Sequence, residues 1–353
     1  MKMLTALLLT FMGLDAHAQA ALFDGDEILS LTLEAPMRQL IRNRFDKPEY
    51  PGQVVYSDSS GAEISLPVMV ASRGNARLET CAFPPLRLRF RKQDTDGTIF
   101  AGQKKLKMVT HCERGSDATG WVLQEYAAYK AFNTITEASY RVRRLQVAYR
   151  DVENKRWQRE GPAFLIEDTG QLAARLGMVE VRPPEVHTEQ YDGAALTTHM
   201  LFQMLIGNTD FSVIRGQKGE GCCHNARVIS PPGSQDGWVV VPYDFDQSGI
   251  IKTDYALPDT RLGIKSVATR LYRGFCWQND ALPDAIASFN AHRDAITQAL
   301  LPDGLSKSRE RRAQRYVERF YEIVNDSGEL DKQLINKCRG GVSFPVRVTR
   351  TKK

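Results

Sequence analysis

The chain has 353 residues, of which 42% are hydrophobic and 25% are charged. This composition is too apolar for an intrinsically disordered protein, and the length allows one large core or two moderate ones. The net charge of +5 is concentrated at the carboxyl end, because residues 337–353 contain six Lys or Arg and no acid. The remainder is close to neutral and has no basic patch interleaved with aromatic residues, so the sequence does not predict nucleic-acid binding.

The first 20 residues have the features of a secretory signal peptide. Lys2 precedes an apolar stretch from Leu4 to Leu14, and the segments "AHA" and "AQA" that follow are small-x-small cleavage sites. The apolar stretch is too short to cross a bilayer, which disfavours the alternative of a membrane anchor. The sequence therefore predicts a periplasmic or secreted protein with no transmembrane segment after signal cleavage.

Residues 21–168 form the first predicted domain, and most of its segments alternate apolar and polar residues with the period of a half-buried strand. In "PLRLRFRK", Leu86, Leu88 and Phe90 point to one side and the intervening arginines to the other. Weaker strands of the same kind are predicted over residues 27–34, 62–72, 104–110, 140–152 and 162–168. One helix, "GWVLQEYAAYKAFNTI", interrupts this β-rich lobe with apolar residues spaced by three and four.

Residues 169–338 form a second predicted domain, which is mainly helical, and a basic tail follows over 339–353. Helical periodicity marks residues 193–207, 284–300 and 310–326, and the segments "NARVISPPG" and "GWVVVPYD" predict a pair of strands. A β-rich lobe followed by a helical lobe predicts an α+β, two-lobed protein with a ligand cleft between its lobes.

Three polar motifs lie at element boundaries of the second domain: "IGNTDFS", "CCHNARVI" and "VVVPYDFDQSG". They supply Asp210, Asn225, Asp244 and Asp246 in that order. In phosphoryl transfer one Asp orients the attacking hydroxyl, while an Asn and a second Asp hold Mg²⁺. The alternative is that these residues only form turns, since Asp and Asn are common in turns. A structural role is the interpretation favoured for His224, next to Asn225.

An even number of cysteines in an exported chain predicts disulfide bonds, for which fifteen pairings exist. The six cysteines are Cys81, Cys112, Cys222, Cys223, Cys276 and Cys338. Cys81 and Cys112 bracket two consecutive predicted strands, which makes them the first candidate pair. Zinc is the alternative, and the absence of C-x-x-C spacing disfavours it.

Taken in order, the motifs resemble those of the CotH-type atypical protein kinases, which are distantly similar to HipA-like kinases. The resemblance covers roughly residues 70–250 and is carried by "SRGN", "FPPLRLRF", "FAGQKKLKMV", "EYAAYKAFN", "YRVRRLQVAY", "AFLIED", "IGNTDFS", "HNARVI" and "VVVPYDFDQSG". It implies a two-lobed protein-kinase-like fold, with Asp210 as the catalytic-loop aspartate. Asn225 and Asp244 are the implied metal ligands, and Asp246 is a second possible ligand.

The implied cofactors are Mg²⁺ or Mn²⁺ and ATP or a related nucleotide, and the implied acceptor is a protein, a peptide or an envelope component. The chain departs from the family where prolines replace adjacent lysines after "FP". The side chain that binds the phosphate is therefore unassigned, and its candidates are Arg87, Arg89 and Lys107. Glu125 is the candidate partner of that cation. Arg73, in "SRGNAR", is a further candidate nucleotide contact.

Two other functions remain open from the amino-acid sequence alone. A catalytically inactive envelope protein that uses the fold as a binding scaffold would explain the missing lysines. A metal-dependent hydrolase built on the same carboxylates would release phosphate without any acceptor.

Overall fold

The computed structural model describes residues 22–112, 116–217 and 219–340. The predicted signal peptide lies outside these residues, and so does the predicted basic tail apart from Arg339 and Gly340. Over the described ranges, no helix combines the length and the apolar character that a bilayer crossing requires. The chain divides into two compact units, the first made of residues up to 79, 84–110 and 143–166, and the second of 80–83, 111–142 and from 167 onward.

The first unit is a closed β-barrel with short helices beside its strands. Its seven strands are β1 Leu29–Ala35, β2 Tyr50–Ser57, β3 Glu63–Ser72, β4 Leu86–Arg89, β5 Lys105–Thr110, β6 Val142–Asp151 and β7 Gln158–Ile166. The helices are α1 Met37–Arg42, α2 Ala76–Thr80 and α3 Lys92–Thr95. The order around the barrel is β1, β2, β3, β4, β5, β7, β6.

The barrel is of mixed type because β1 pairs antiparallel with β2 on one side and parallel with β6 on the other. The parallel pairing runs from Leu29 opposite Leu145 to Ala35 opposite Asp151. Along β1 every second residue is buried, as a half-buried strand requires. In β4, Leu86 and Leu88 are fully buried and Phe90 follows them inward, as the alternation predicts.

The predicted two-lobed kinase-like fold is wrong, because the β-rich part is a closed seven-stranded mixed barrel instead of the open sheet of a kinase lobe. Alternation identifies strands and their buried faces, but it does not specify which strand edges meet. Closure depends on the pairing of β1 with β6, whose residues are far apart in the chain. The sequence reading also missed β2, in which Pro51 and Gly52 obscure the strand signal.

The second unit contains most of the helices and a small sheet. The helices are α4 Ser116–Asn133, α5 Thr169–Arg175, α6 Gly193–Ile206, α7 Leu282–Ala291, α8 Arg293–Ala299, α9 Lys307–Asn325 and α10 Ser327–Gln333. The strands β8 Val179–Val181, β9 Ala226–Ser230 and β10 Val239–Pro242 form an antiparallel sheet with β9 in the middle. The predicted strand pair is confirmed, and the helix predicted over 284–300 is divided in two at His292.

Helix α6 is the centre of the second unit. Ten of its residues are buried, including Met200, Leu201, Phe202 and Leu205, and it packs against α7, α9 and β10. Burial of aliphatic and aromatic side chains on this scale fixes the helix firmly. The loop that leaves its carboxyl end therefore starts from a rigid support.

Three disulfide bonds lie in the second unit. Cys81 is bonded to Cys112, as predicted, and Cys276 is bonded to Cys338 across 62 residues of sequence. The third bond joins the neighbours Cys222 and Cys223. All six cysteines are thus oxidised, which leaves no thiolate for the zinc alternative.

Candidate functional site

The first part of the site is the loop that follows α6. Gly207 ends the helix in the left-handed conformation, with φ 66°, and its N–H donates to the Gln203 and Met204 carbonyls. The Asn208 side-chain oxygen then accepts the Asp210 N–H at 3.0 Å. The segment "GNTD" therefore stops the helix, turns the chain and positions Asp210.

A half-buried arginine, Arg273, fixes this loop on both sides of Asp210. Arg273 donates to the Thr209 carbonyl at 2.7 Å and to the Phe211 carbonyl at 2.6 Å. Its guanidinium also lies over the Phe211 ring, 4.5 Å from the centroid. Burial lowers the pKa of Arg273, and the carboxylates of Asp259 and Asp210 oppose that shift. Arg273 therefore adds positive charge as well as hydrogen bonds.

The second part of the site is one end of the β9–β10 hairpin. Ala226 pairs with Pro242, and the Tyr243 N–H donates to the Asn225 carbonyl at 3.2 Å. Antiparallel pairing thus places Asn225, just before β9, next to the segment that carries Asp244 beyond β10. Both residues have positive φ, 49° for Asn225 and 63° for Asp244, a conformation that Asn and Asp tolerate better than most side chains.

The carboxylate of Asp210 accepts hydrogen bonds from three side chains. His224 Nε2 lies 2.9 Å from Oδ1, while Asn225 Nδ2 and Gln247 Nε2 lie 2.9 Å and 2.7 Å from Oδ2. The side chain of Asp210 is 32% exposed, so it is both fixed and accessible to a ligand. A partly exposed carboxylate fixed by three donors is a rigid acceptor for an incoming hydroxyl group.

His224 forms an ion pair with Asp210 when it is protonated. The hydrogen bond that His224 donates to Asp210 is the largest cause of a raised His224 pKa, burial opposes it, and the charges of Asp210, Asp244 and Glu220 add to the rise. Backbone bonds in both directions between His224 and Ser212 fix the main chain of His224. His224 thus holds the Asp210 carboxylate, and the structural role favoured from the sequence stays a prediction.

The amide of Asn225 has a defined orientation. Its nitrogen donates to the Asp210 carbonyl at 2.7 Å as well as to the Asp210 carboxylate. Because Asp210 takes both hydrogen bonds from the nitrogen, the amide oxygen is the end of the side chain that a cation can bind. Carboxylate and amide oxygens are the hard ligands that Mg²⁺ prefers.

Asp244 is held through its backbone by α4. Its N–H donates to the phenol oxygen of buried Tyr129 at 2.8 Å. Burial raises the Tyr129 pKa well above its ordinary value, and the charges of Glu125 and Asp244 add to this. Glu125, the candidate partner of the phosphate-binding cation, lies one turn before Tyr129 and is only 2% exposed.

Asp246, the second predicted metal ligand, has a different environment from Asp244. It is only 6% exposed, and its carboxylate accepts the Tyr255 hydroxyl at 2.9 Å. Its carbonyl accepts the Thr253 hydroxyl at 3.2 Å. These bonds stabilise the turn after β10, whereas Asp244 lies beside the Asp210 cluster.

The predicted phosphate-binding cations all lie in the first unit: Arg73, Arg87, Arg89 and Lys107. Arg87 pairs with Glu49 at 3.3 Å, and Arg89 forms a second ion pair with the same carboxylate. Lys107 is half-buried on β5, directly opposite Arg87. Asp210, Asn225 and Asp244 all belong to the second unit.

Gln247 is the site residue that the sequence reading missed. Backbone bonds from the Gly249 and Ile250 N–H groups to the Gly207 and Ile206 carbonyls, each 3.0 Å, join the two loops and bring Gln247 to Asp210. The sequence signal that could have identified Gln247 is its position, three residues after Asp244 in a loop with two candidate carboxylates.

No three His, Cys, Asp or Glu side chains come together as a ready metal site anywhere in residues 22–112, 116–217 or 219–340. A cation here would have Asp244 and the Asn225 amide oxygen as protein ligands. Phosphate and water oxygens would fill its remaining positions, as is common for Mg²⁺. The donor set therefore fits a metal that arrives with a phosphorylated ligand.

Neither a protein-family model nor a curated protein matches this chain. The resemblance to CotH-type kinases therefore stays a prediction.

Proposed function

We propose that the Asp210 cluster binds a nucleotide or a similar phosphate-bearing ligand together with Mg²⁺ or Mn²⁺ and transfers a phosphoryl group to a hydroxyl acceptor. One observation carries the proposal. The Asp210 carboxylate is fixed by His224, Asn225 and Gln247, and it takes the Asn225 amide nitrogen so that the amide oxygen faces away from it. The charge of Asp244 acts on His224 of the same cluster. An acceptor-orienting carboxylate next to two hard oxygen ligands is the arrangement that phosphoryl transfer uses.

The chemistry assigns a distinct role to each side chain. Among the residues that the structure describes, His224 alone donates a side-chain hydrogen bond to Asp210 Oδ1, which leaves room for the proton of the attacking hydroxyl. The acceptor oxygen bonds to phosphorus as the bond to the leaving phosphate oxygen breaks, and the proton passes to Asp210. The divalent cation supplies positive charge that offsets the phosphate oxygens and Asp244.

The three disulfides support an exported location, in the periplasm or outside the cell. In that location the acceptor class that fits is a protein, a peptide or an envelope component with a free hydroxyl group. Gln247 acts as a positioning residue, because it holds Asp210 without touching the reacting atoms, whereas Asn225 holds Asp210 and also offers its amide oxygen to the cation.

The first test is calorimetric titration of the oxidised protein with ATP, with Mn²⁺, and with both together. We expect binding of the pair and much weaker binding of either component alone, because the protein supplies only two metal ligands. Asn225→Gly and Asp244→Gly should abolish binding of the pair. Glycine keeps the left-handed backbone at both positions, so the loss reports the missing oxygen ligand.

Asp236→Asn is the matched control, since Asp236 is an exposed carboxylate in the turn at the opposite end of the same hairpin. It should leave the affinity unchanged. Binding of ATP that needs no metal, or equal binding by wild type and Asp244→Gly, would contradict the proposal.

The second test separates transfer from binding. Asp210→Ala keeps the Asp210 carbonyl, which still accepts the Asn225 amide nitrogen at 2.7 Å in the wild-type geometry. Binding should therefore fall little, while transfer should fall by at least about 100-fold because the proton acceptor is gone. Mass spectrometry after incubation with Mn²⁺-ATP, with and without envelope extract, measures phosphate addition. A large loss of nucleotide affinity in Asp210→Ala would show that the roles are misassigned.

A binding protein without catalysis is the second candidate function. The observation that favours it is the commitment of Arg87 and Arg89 to Glu49, since both were candidates to neutralise the transferred phosphate. In this case wild type would bind Mn²⁺-ATP, Asp244→Gly would not, and no phosphate would appear on any acceptor.

A further inference from the structure

Helix α9 presents a row of arginines that the proposed function does not use. Arg312, Arg315 and Arg319 are spaced by three and four residues, so they lie on one face of the helix. Together with Arg270, Tyr316 and Gln333 they line a groove of about 460 Å³ in the second unit. The lining contains four arginines and no acidic side chain.

Two of these arginines are fixed by carbonyl groups. Arg270 donates to the Met204 carbonyl at 2.8 Å and to the Tyr316 carbonyl at 2.6 Å, and it stacks on the Tyr316 ring at 4.1 Å. Arg312 donates to the Ile251 carbonyl at 3.0 Å. Its buried Nε makes no hydrogen bond with the residues that the structure describes. These contacts hold the guanidinium groups in place, and neither group forms an ion pair with a carboxylate of the residues that the structure describes.

The other two arginines differ in their pairing. Arg319 is partly neutralised by Glu322 at 2.9 Å and by Glu329 at 3.4 Å. Arg315 is exposed and forms no ion pair within the described part of the chain. One arginine of the groove is therefore paired and three are not.

The positive charges of the groove disfavour one another. Burial lowers the pKa of Arg270, and the charge of Arg319 lowers it further. Burial likewise lowers the pKa of Arg312, with a contribution from nearby Arg309 and opposition from Asp117. An anion bound in the groove would relieve this repulsion.

We infer that the groove binds a small ligand with a phosphate or pyrophosphate group, at a site separate from the Asp210 cluster. Guanidinium groups match phosphate oxygens in bidentate geometry, and Arg315 and Arg312 both have donors to offer. The groove is larger than a single phosphate ion requires, which favours a diphosphate or a phosphorylated small molecule. Binding here needs no metal, because the arginines supply the positive charge.

One residue of the groove, Tyr316, packs against the two loops of the proposed active site. A Cβ atom on Gly207 or on Gly249 would overlap the Tyr316 hydroxyl, so this side chain packs closely against both glycines. These glycines belong to the loops that carry Asp210 and Gln247. The test must therefore exclude phosphate binding at the metal-dependent cluster.

Calorimetric titration with sodium pyrophosphate in the presence of EDTA achieves this separation. We expect saturable binding by the wild type at one site, weakened by added salt. Arg315→Gln, at an exposed position that makes no internal bond, should weaken binding about tenfold. Arg311→Gln is the matched control, since Arg311 is an exposed neighbour on the same helix outside the groove, and it should leave the affinity unchanged.

Asp244→Gly should bind pyrophosphate as tightly as wild type, which distinguishes this site from the metal-dependent one. Absence of binding in EDTA, or equal weakening by Arg315→Gln and Arg311→Gln, would overturn the inference and leave the proposed function intact. Vesicles containing anionic lipid provide the second arm. If the protein binds such vesicles but not soluble pyrophosphate, the groove recognises a membrane surface and the inference is wrong.

Discussion

A buried histidine in α6 should make the folded state sensitive to acid. His199 has no exposed surface, and its ring packs edge-on against Phe211 with centroids 5.4 Å apart. Burial lowers the His199 pKa to about 3, with the charge of Arg273 adding to the shift and a backbone hydrogen bond at Val240 opposing it. In the unfolded chain the same group titrates near its ordinary value of 6.5.

The direction of this pH dependence follows from proton binding. Between the two pKa values the unfolded chain binds a proton at His199 and the folded chain does not, so acid favours unfolding. The contribution is fully present above about pH 6.5 and is lost progressively as the pH falls toward 3. From pH 7.5 to pH 5 the loss amounts to about 2 kcal/mol of unfolding free energy.

The assay is urea unfolding of wild type and His199→Gln at both pH values, followed by tryptophan fluorescence. The variant should be less stable at pH 7.5 because its packing is poorer, but it should lose about 2 kcal/mol less than wild type on going to pH 5. Met204→Leu, a change between two apolar side chains at another buried position of α6, is the control and should keep the wild-type pH dependence. Equal losses in wild type and His199→Gln would refute the reasoning.

Three further predictions concern the supports of the site. Gly207→Ala should lower stability and Mn²⁺-ATP affinity, because alanine strains the left-handed backbone and meets the Tyr316 hydroxyl. Adding Tyr316→Phe in the double variant should partly restore both, and no recovery would contradict this explanation. Paired alanine substitutions that remove the Cys276–Cys338 bond should lower the free energy of unfolding by about 4 kcal/mol, because the bond closes a 62-residue loop. A loss below about 1 kcal/mol in chemical unfolding would contradict a stabilising role of this bond. Tyr129→Phe should cost about 1–3 kcal/mol and weaken Mn²⁺-ATP binding, because the Asp244 N–H loses its acceptor; unchanged titrations would contradict this.

The amino-acid sequence by itself determined the local elements and the positions of the polar motifs. Alternation identified β4 and its buried leucines, and helical spacing identified α6 and α9. The same local patterns placed Asp210 after a helix and Asn225 before a strand. These features depend on residues within one or two turns of each other, which is the range over which periodicity carries information.

The tertiary structure decided which distant residues meet. Closure of the barrel depends on the β1–β6 pairing. His224 and Gln247 both contact the Asp210 carboxylate, and Gln247 reaches it because backbone bonds join its loop to the loop of Asp210. The burial of Glu125 likewise follows from the packing of α4, not from its own segment. The physical reason is that pairing and burial depend on the shape and charge of surfaces far apart in the chain, and local periodicity does not record them.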